Sequence, residues 1–546
     1  MFEECFGNGP FVFRINENGS GPQLLTQVCL ERGWREYTGD CENWNLWWRT
    51  SGFPVSHHRS LYAWQYLNHI PKGSSICRKD NLVRYLRCMK KVYGSIYDFS
   101  PHGYNLPLEY TKLAAECSRG RPHSGKEDTK HFEDKPIWIC KPVAQSQGRG
   151  IFLFRKLSEL NYDTNTIVQR YIEKPLLIGG YKFDLRLYVC IPSYHPVTIY
   201  IYREGLARFG TDKFSLNDLR NPFRHLTNSS INKLGPGYTE MKDRVGSGCK
   251  WNLRQLRRYF QQAGILDWLL WQRITSLVIL TVLSHVSQIP PTVNCFEFFG
   301  FDVLIDSALR PWLLEVNLSP ALSNDCDADR LVKKPMLHDM FDLLGLPLYN
   351  TGLSVFDILS EETVDNKEDQ ENRNIALKNT ISVVNAAGRW RRKQKKMSAI
   401  YSRANSAIRV RNRATSANYQ KTYITLPKVH VDVRPVASPI HGGTTKASCD
   451  DCRKSEAKPW GNGRDWNYPK PREGGWVRIW PFSLEVPTKN NSMNNGQIKT
   501  MVNKVIKFTK KAKELAKRHP LASECQLSEF LQADNEMTGD IWIPPV

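Results

Sequence analysis

FGFDVLID (299–306), a short polar stretch, and RPWLLEVN (310–317) read as two strands of one hairpin. With the turn symmetric about Ala308 and Leu309, Asp302 falls opposite Glu315, because antiparallel partners keep a constant index sum. Asn317, two residues on, shares the face of Glu315, while Leu314 and Val316 point into a core. Two carboxylates and an amide oxygen are hard ligands suited to Mg²⁺, which takes few protein groups and keeps waters and phosphate oxygens. A strand whose polar face merely meets solvent is the plainer reading. The flanking strands are almost wholly apolar, however, and a buried Asp/Glu pair without a cation is costly. The expectation is a nucleotide site built on a sheet.

Four further segments carry compatible chemistry. IWICKPVAQSQGRGIFLF (137–154) has the form strand, Lys-Pro, glycine-containing loop, strand. Lys141 can donate to phosphate oxygens, and Gly148 and Gly150 let backbone N–H groups approach a triphosphate. It is not a Walker loop, since no GK[ST] follows. IVQRYIEKPLLI (167–178) supplies a strand-to-turn element whose backbone at Gln169 to Ile172 can pair with an adenine edge. In YKFDLRLYVCI (181–191), Lys182, Asp184 and Arg186 alternate on one face and Phe183, Leu185, Leu187 and Val189 on the other, which aims three charges into one cavity. The competing reading is an exposed strand with self-pairing charges. EGLARF places Arg208 after a β-rich run, and RHLTNSSINK offers Thr227 and Asn228 as small polar groups of phosphate- or carboxylate-binding type.

At 546 residues the chain exceeds one ordinary domain, and its formal charge of +22 points to a polyanionic partner. Charge alone leaves nucleic acid, acidic membrane and acidic protein open. The 14 cysteines lack framework spacing, which suits a reducing compartment, and the lone CxxC at Cys449 and Cys452 has no second pair within zinc-finger distance. No secretory signal is visible at the N-terminus. The most apolar stretch, Ile265 to Val286, is interrupted by Asp267, Gln272 and Arg273 and reads as a core helix, not a membrane span.

Beyond about residue 346 the character changes. SEETVDNKEDQE (360–371) reads as an acidic linker, and from Arg389 to Lys428 there are twelve Lys/Arg and no Asp or Glu, a run that needs solvent or a polyanion. Trp460, Trp466, Trp476 and Trp480 among Gly and Pro suggest an irregular aromatic strap. Met501, Val505, Phe508, Ala512 and Leu515 recur at helical spacing among lysines, giving a basic amphipathic helix that stops before Pro520. Its apolar stripe is expected to be a packing face.

Taken together, Lys-Pro with a QGRGI loop, QRYI, KFDLR, EGLAR, HLTN, FGFD and LLEVN, in this order, resemble the tubulin–tyrosine-ligase-like family, an ATP-grasp group of amino-acid ligases. The resemblance extends upstream through ERGWREY, WNLWWR, LNHIP and CRKDNL, covers roughly residues 11–346, and is nearest to the family's polyglutamylases. It implies an α/β (α+β) fold, an ATP-grasp ligase core with the nucleotide between two antiparallel sheets, followed by a basic, largely irregular C-terminal extension. The implied division is an N-terminal subdomain (1–78), a central ATP-grasp subdomain (79–172), a C-terminal ATP-grasp subdomain with the metal site (173–346), a linker (347–387), a basic microtubule-binding candidate (388–430), and a partly disordered tail with the strap and helix (431–546).

By the same resemblance, ATP contacts fall on Lys79, Lys141, Gln147, Gly148, Gln169, Arg170, Tyr171, Ile172, Lys182, Phe183, Asp184, Thr227 and Asn228, and the Mg²⁺ ligands are Asp302, Glu315 and Asn317. Arg208 matches the arginine that holds the incoming amino acid's carboxylate, a fork-to-carboxylate task. Lys250 and Lys333 align with basic positions that contact a glutamate substrate. Ser229 stands where the family usually has Tyr, at the border of the amino-acid pocket. Lys182 and Arg186 are the candidate catalytic groups, with Arg186 stabilising an acyl-phosphate. The implied partners are tubulin or microtubules through their acidic tails, and L-glutamate. Neither nucleic acid nor membrane is expected, and the implied state is a monomeric cytoplasmic protein on the microtubule cytoskeleton, with the cilium or flagellum as a further location. The alternatives are a glycylase with the same ATP machinery, a ligase acting on a non-tubulin acidic protein, and a non-catalytic microtubule-binding protein, which leaves the Asp302/Glu315/Asn317 set unexplained.

Overall fold

The computed structural model describes residues 11–39, 44–118, 136–143, 147–162, 165–240, 249–348, 459–484, 493–534 and 537–546. All of these belong to one unit, built from the chain before residue 360 and after 451. The acidic linker, the basic run 389–428 and the CxxC lie outside the described residues.

Three sheets organise the described residues. The first is parallel, in the order β2 (Arg35–Glu36), β1 (Val12–Ile15), β3 (Leu46–Trp48), β4 (Tyr66–Leu67). The second is antiparallel, in the order β5 (Gly103–Leu106), β8 (Thr166–Arg170), β6 (Trp138–Pro142), β7 (Phe152–Phe154). The third, also antiparallel, is centred on the 14-residue strand β10 (Tyr181–Tyr194). One edge of β10 pairs with β12 (Leu206–Lys213) and β11 (Val197–Tyr202), and the other with β14 (Glu297–Ile305). β9 (Leu177–Ile178) pairs with the start of β10, and outward from these strands lie β13 (Lys250–Asn252), β15 (Pro311–Asn317), β16 (Arg472–Glu473) and β17 (Trp476–Trp480).

Every residue of β10 is buried, so its strict alternation sorts two interiors. Phe183, Leu185, Leu187 and Val189 join a core with the helices Leu253–Gln262 and Trp268–Leu283. Tyr188 and Cys190, on the opposite face, join a second core with Met336, Leu337 and Phe341 of the helix Asp327–Leu343. Trp268–Leu283 belongs to the one segment among the described residues long and apolar enough to cross a membrane. It is buried almost throughout in protein, as a core helix should be.

The aromatic segment is less irregular than its Gly and Pro content suggests. Trp476–Trp480 forms a full strand that pairs antiparallel with β11 and covers what would otherwise be a sheet edge. The basic helix spans Asn495–Arg518, capped by Asn494, and buries Ile498, Val502, Val505, Phe508, Ala512 and Leu515 against Trp268–Leu283. Ser276 Oγ and Thr509 Oγ1 meet at 2.8 Å across that contact. The last residues are fastened as well: Trp542 donates its indole N–H to the Tyr202 carbonyl at 3.0 Å, and Arg257 holds Asp267, Glu524 and the Pro544 carbonyl.

The hairpin from which the fold was read has a different turn from the one expected. Asp306 N–H donates to Arg310 O, Leu309 adopts a φ of 54°, and Ile305 faces Pro311, so the turn is centred on Ala308 alone. Left to run, that register would place Leu314 opposite Asp302. A β-bulge at Leu314 absorbs one residue, and Asp302 faces Glu315 after all. The bulge also corrects a side-chain direction. Leu313 and Val316 enter the core, whereas Leu314 joins Glu315 on the wall of a cleft.

Candidate active site

Between the second and third sheets lies an open cleft of about 800 Å³, counting the space that solvent fills. The second sheet contributes Ile139, Lys141, the Gln147–Gly148 turn and Gln169 to Ile172. The third contributes Lys182, Asp184, Arg208, Asp302, Leu304, Leu314 and Glu315, and Leu226 to Asn228 form a side wall with Lys79 close by. Fifteen positions singled out from the sequence therefore share one wall: Lys79, Lys141, Gln147, Gly148, Gln169, Arg170, Tyr171, Ile172, Lys182, Asp184, Arg208, Thr227, Asn228, Asp302 and Glu315. Gly148, at φ +80°, brings the loop against Asn228 and Ile231, where a side chain would collide.

Other positions fall elsewhere. Phe183 is not on the cleft wall: strand alternation turns its side chain into the opposite core, where it packs on Phe209 with ring centroids 5.6 Å apart. Arg186, expected to face the reacting phosphate, lies instead flat against Asp302. Lys250 and Lys333 are not on the cleft wall either. They converge on Asp329, at 2.7 and 2.9 Å. Ser229, first residue of a short helix that begins just after Asn228, also lies off the lining.

Charges in the third sheet pair across strands, not along β10. Asp184 faces Arg208 in register, and Arg186 faces Asp302. Arg208 makes a two-pronged contact with Asp184 (2.8 and 2.5 Å) and reaches Asp302 at 2.9 Å. Arg186 grips Asp302 through Nε at 2.6 Å and Nη2 at 3.1 Å. Gly300 leaves room beside this pair, since a Cβ there would meet Pro320 Cβ at 2.8 Å and press on the Arg186 side chain at 3.1–3.3 Å. Against the cost of burial, the two arginines hold the Asp302 carboxyl well below the usual range. Glu315 goes the other way: burial and the neighbouring Asp302 push its carboxyl up, with Lys79 and Lys141 only partly offsetting them. Asn317 donates Nδ2 to Glu315 Oε1 at 3.3 Å.

This set fits a hard cation. Two carboxylates in register, one of them destabilised as an anion by burial and by the other, are what a divalent ion would relieve, and turning the Asn317 amide would present its oxygen to the same point. Lys141 donates to Gln169 Oε1 at 2.9 Å, and its pKa is lowered to about 8 by burial and Lys79, against the pull of Glu315 and Asp302. Lys182 is lowered to about 7, chiefly by burial, with Asp184 opposing and Lys141 adding to the shift. Lys182, buried, and Lys141, half-buried, stand beside a paired-carboxylate site and can receive a metal-bound polyphosphate, whose charge would restore theirs.

The geometry matches a known group of proteins. A model of the tubulin-tyrosine ligase family covers residues 56–352, more than half of the sequence. The chain belongs to the tubulin-tyrosine ligase family. The two antiparallel sheets closing on the cleft are that family's ATP-grasp-like fold. Over 341 residues the chain is 48% identical to "Probable tubulin polyglutamylase TTLL2" of Homo sapiens, a match covering 62% of this chain and 56% of that protein. The Mus musculus protein of the same name is 46% identical over 341 residues, covering 62% of each. "Tubulin polyglutamylase TTLL5" of Homo sapiens is 37% identical over 336 residues, 59% of this chain and 25% of that protein. The chain thus spans less than two thirds of these relatives.

Several residues of the site were not singled out from the sequence. Leu304, Leu314, Ile139 and Leu226 give the cleft apolar walls, yet in a strand list they look like any core residue. His225 and the Lys250–Asp329 pairing were missed because the partners lie far along the chain, whereas Asp329 and Lys333, four residues apart on one helix, carried a spacing signal that could have been read.

Proposed function

We propose that this protein is an ATP-dependent amino-acid ligase that joins L-glutamate to glutamate side chains in the acidic C-terminal tails of tubulin. The observation that carries this reading is the convergence, in one cleft between two antiparallel sheets, of Lys79, Lys141 and Lys182 with the in-register pair Asp302 and Glu315. Family membership and the names of the relatives support it.

In this reading, Asp302, Glu315 and Asn317 hold Mg²⁺, which when bound neutralises phosphate charge and orients the γ-phosphate. Lys141 and Lys182 meet the phosphates, Gln147 and Gly148 close over them, and Gln169 to Ile172 hold the adenine edge between apolar walls. The acceptor's γ-carboxylate attacks the γ-phosphate with ADP leaving, which gives an acyl-phosphate. The amine of L-glutamate then displaces phosphate to form the isopeptide bond. Positioning and charge neutralisation dominate, since phosphoryl transfer leaves little covalent work to the protein. Arg208, already fixed on Asp184, directs its remaining edge at the amino acid's α-carboxylate. The Arg186 role changes accordingly: it keeps Asp302 ionised and oriented rather than touching the acyl-phosphate. Lys250 and Lys333 share a single carboxylate and so carry one surplus positive charge toward the glutamate side chain. The basic run 389–428 guides the acidic tail electrostatically, and the working location is the microtubule.

Incubation of the purified protein with ATP, Mg²⁺ and microtubules, offering labelled glutamate, glycine and tyrosine in parallel with mass analysis of the tubulin tails, tests it. Glutamate-specific mass additions are the expected result. Glycine additions, or none to tubulin, refute the assignment.

A further inference from the structure

Behind the cleft wall runs a hydrogen-bond chain whose direction is fixed at every link. His225 Nε2 lies 2.8 Å from the Asp218 carbonyl, which can only accept, so Nε2 carries the proton. In the neutral ring Nδ1 is then an acceptor, and the Tyr171 hydroxyl, 3.1 Å away, must donate to it. With its hydrogen so committed, Tyr171 Oη turns a lone pair to Lys182 Nζ at 2.9 Å. Lys182 gives a second hydrogen to the His225 carbonyl at 2.8 Å, which leaves its third for the cleft. All three side chains are at most 6% exposed, and the His225 ring is wedged edge-on between Tyr171 and Phe214, both at 5.7 Å.

We infer that His225 is a positioning residue for the nucleotide: its neutral Nε2–H tautomer makes Tyr171 an obligate acceptor for Lys182, and so fixes where the lysine presents its remaining N–H to phosphate. The inference rests on the cleft being a nucleotide site.

The electrostatics run the same way. Burial, followed by Lys182 and Arg224, keeps His225 below its ordinary pKa, with Asp218 opposing. A protonated ring would point Nδ1–H at Tyr171 and turn the hydroxyl hydrogen onto the lysine, so the chain works only with His225 neutral. The groups bearing on Lys182 are Asp184, which favours its charged form, and Lys141, which opposes it. Tyr171 Oη, as an acceptor, favours the charged lysine, and its loss should lower the pH at which Lys182 gives up its proton.

The test is MgATP affinity of the full chain by calorimetry from pH 6 to 9. Tyr171→Phe, which removes one oxygen, is expected to weaken MgATP about tenfold at pH 7.5 and to shift the pH midpoint of binding downward. His225→Leu should behave alike, whereas His225→Asn, whose Oδ1 can stand near the Nδ1 position, should restore most of the affinity. A folded Tyr171→Phe protein with wild-type affinity and midpoint overturns the inference, as does a His225→Asn protein no better than His225→Leu. Should His225→Leu fail to fold, Tyr171→Phe alone decides. Failure of the wild-type protein to bind MgATP at any pH would refute the nucleotide reading itself, a different result.

Discussion

Asp302 stands opposite Glu315 although the turn joining their strands is one residue out of the register that would put them there. Leu314, squeezed out as a bulge, makes up the difference. The bulge does two things at once: it aligns the carboxylates and adds an apolar side chain to the cleft wall beside them.

Glu315→Gln keeps the size of the side chain and removes one of two adjacent buried carboxylates. In EDTA its melting temperature should equal or exceed that of the wild-type protein, since a like-charge contact is gone. Ligation should be abolished, and the upward melting shift on adding MgATP should be lost. Thermal unfolding with and without MgATP, beside a turnover assay, checks both.

Leu314→Ala should leave the metal set in place and weaken the nucleotide. Loss of part of a leucine side chain from the wall costs about 1–2 kcal/mol of ATP binding, roughly a tenfold rise in KM for ATP. The KM for glutamate should not move. Steady-state kinetics with each substrate varied separates the two.

Burial disfavours the charge on Lys182 and lowers its pKa to about 7. Polyphosphate requires that charge, so binding at pH 8 should take up protons and affinity should fall as pH rises above about 7. The sign follows from the lowered pKa: below it the lysine is already charged and little uptake remains. Calorimetry in buffers of different ionisation enthalpy measures the uptake. A proton-independent binding curve from pH 6.5 to 8.5 contradicts the argument.

Lys250 and Lys333 share Asp329, a carboxyl that these lysines hold below its usual range despite burial. Lys250→Met removes the surplus charge while keeping the apolar stem. The KM for glutamate should rise about tenfold with that for ATP unchanged. Equal losses for both substrates would show a structural effect instead.

Trp542 is almost fully buried, meets Trp271 edge-on with centroids 5.7 Å apart, and donates to Tyr202 O. Trp542→Ala should cost about 3–5 kcal/mol in denaturant unfolding. Ending the chain at residue 492 would uncover the apolar flank of Trp268–Leu283 and should give aggregating protein, seen as a shift to much larger particles than the intact chain in light scattering.

Much of this molecule was legible as local pattern. The alternation in KFDLRLYV is a property of strand geometry, so it placed Lys182 and Asp184 on the cleft side and Phe183 in the core. The same rule should have removed Phe183 from the nucleotide contacts. The helical stripe from Val505 to Leu515 likewise foretold its packing face, and the buried helix at 268–283 followed from apolar content broken by Gln272 and Arg273.

What the sequence by itself determined is which residues lie on one face of one element, because backbone periodicity couples neighbours in the chain. Only the tertiary structure decided who stands across from them. That Arg186 meets Asp302, that Lys250 meets Asp329, that His225 aims Tyr171 at Lys182, and that Trp476–Trp480 completes the sheet are contacts between segments from 11 to more than 270 residues apart. Hydrogen bonds and ion pairs act over a few ångströms in space and carry no trace of sequence separation. A single bulged leucine, invisible to any count of residues, set the register on which the paired carboxylates depend.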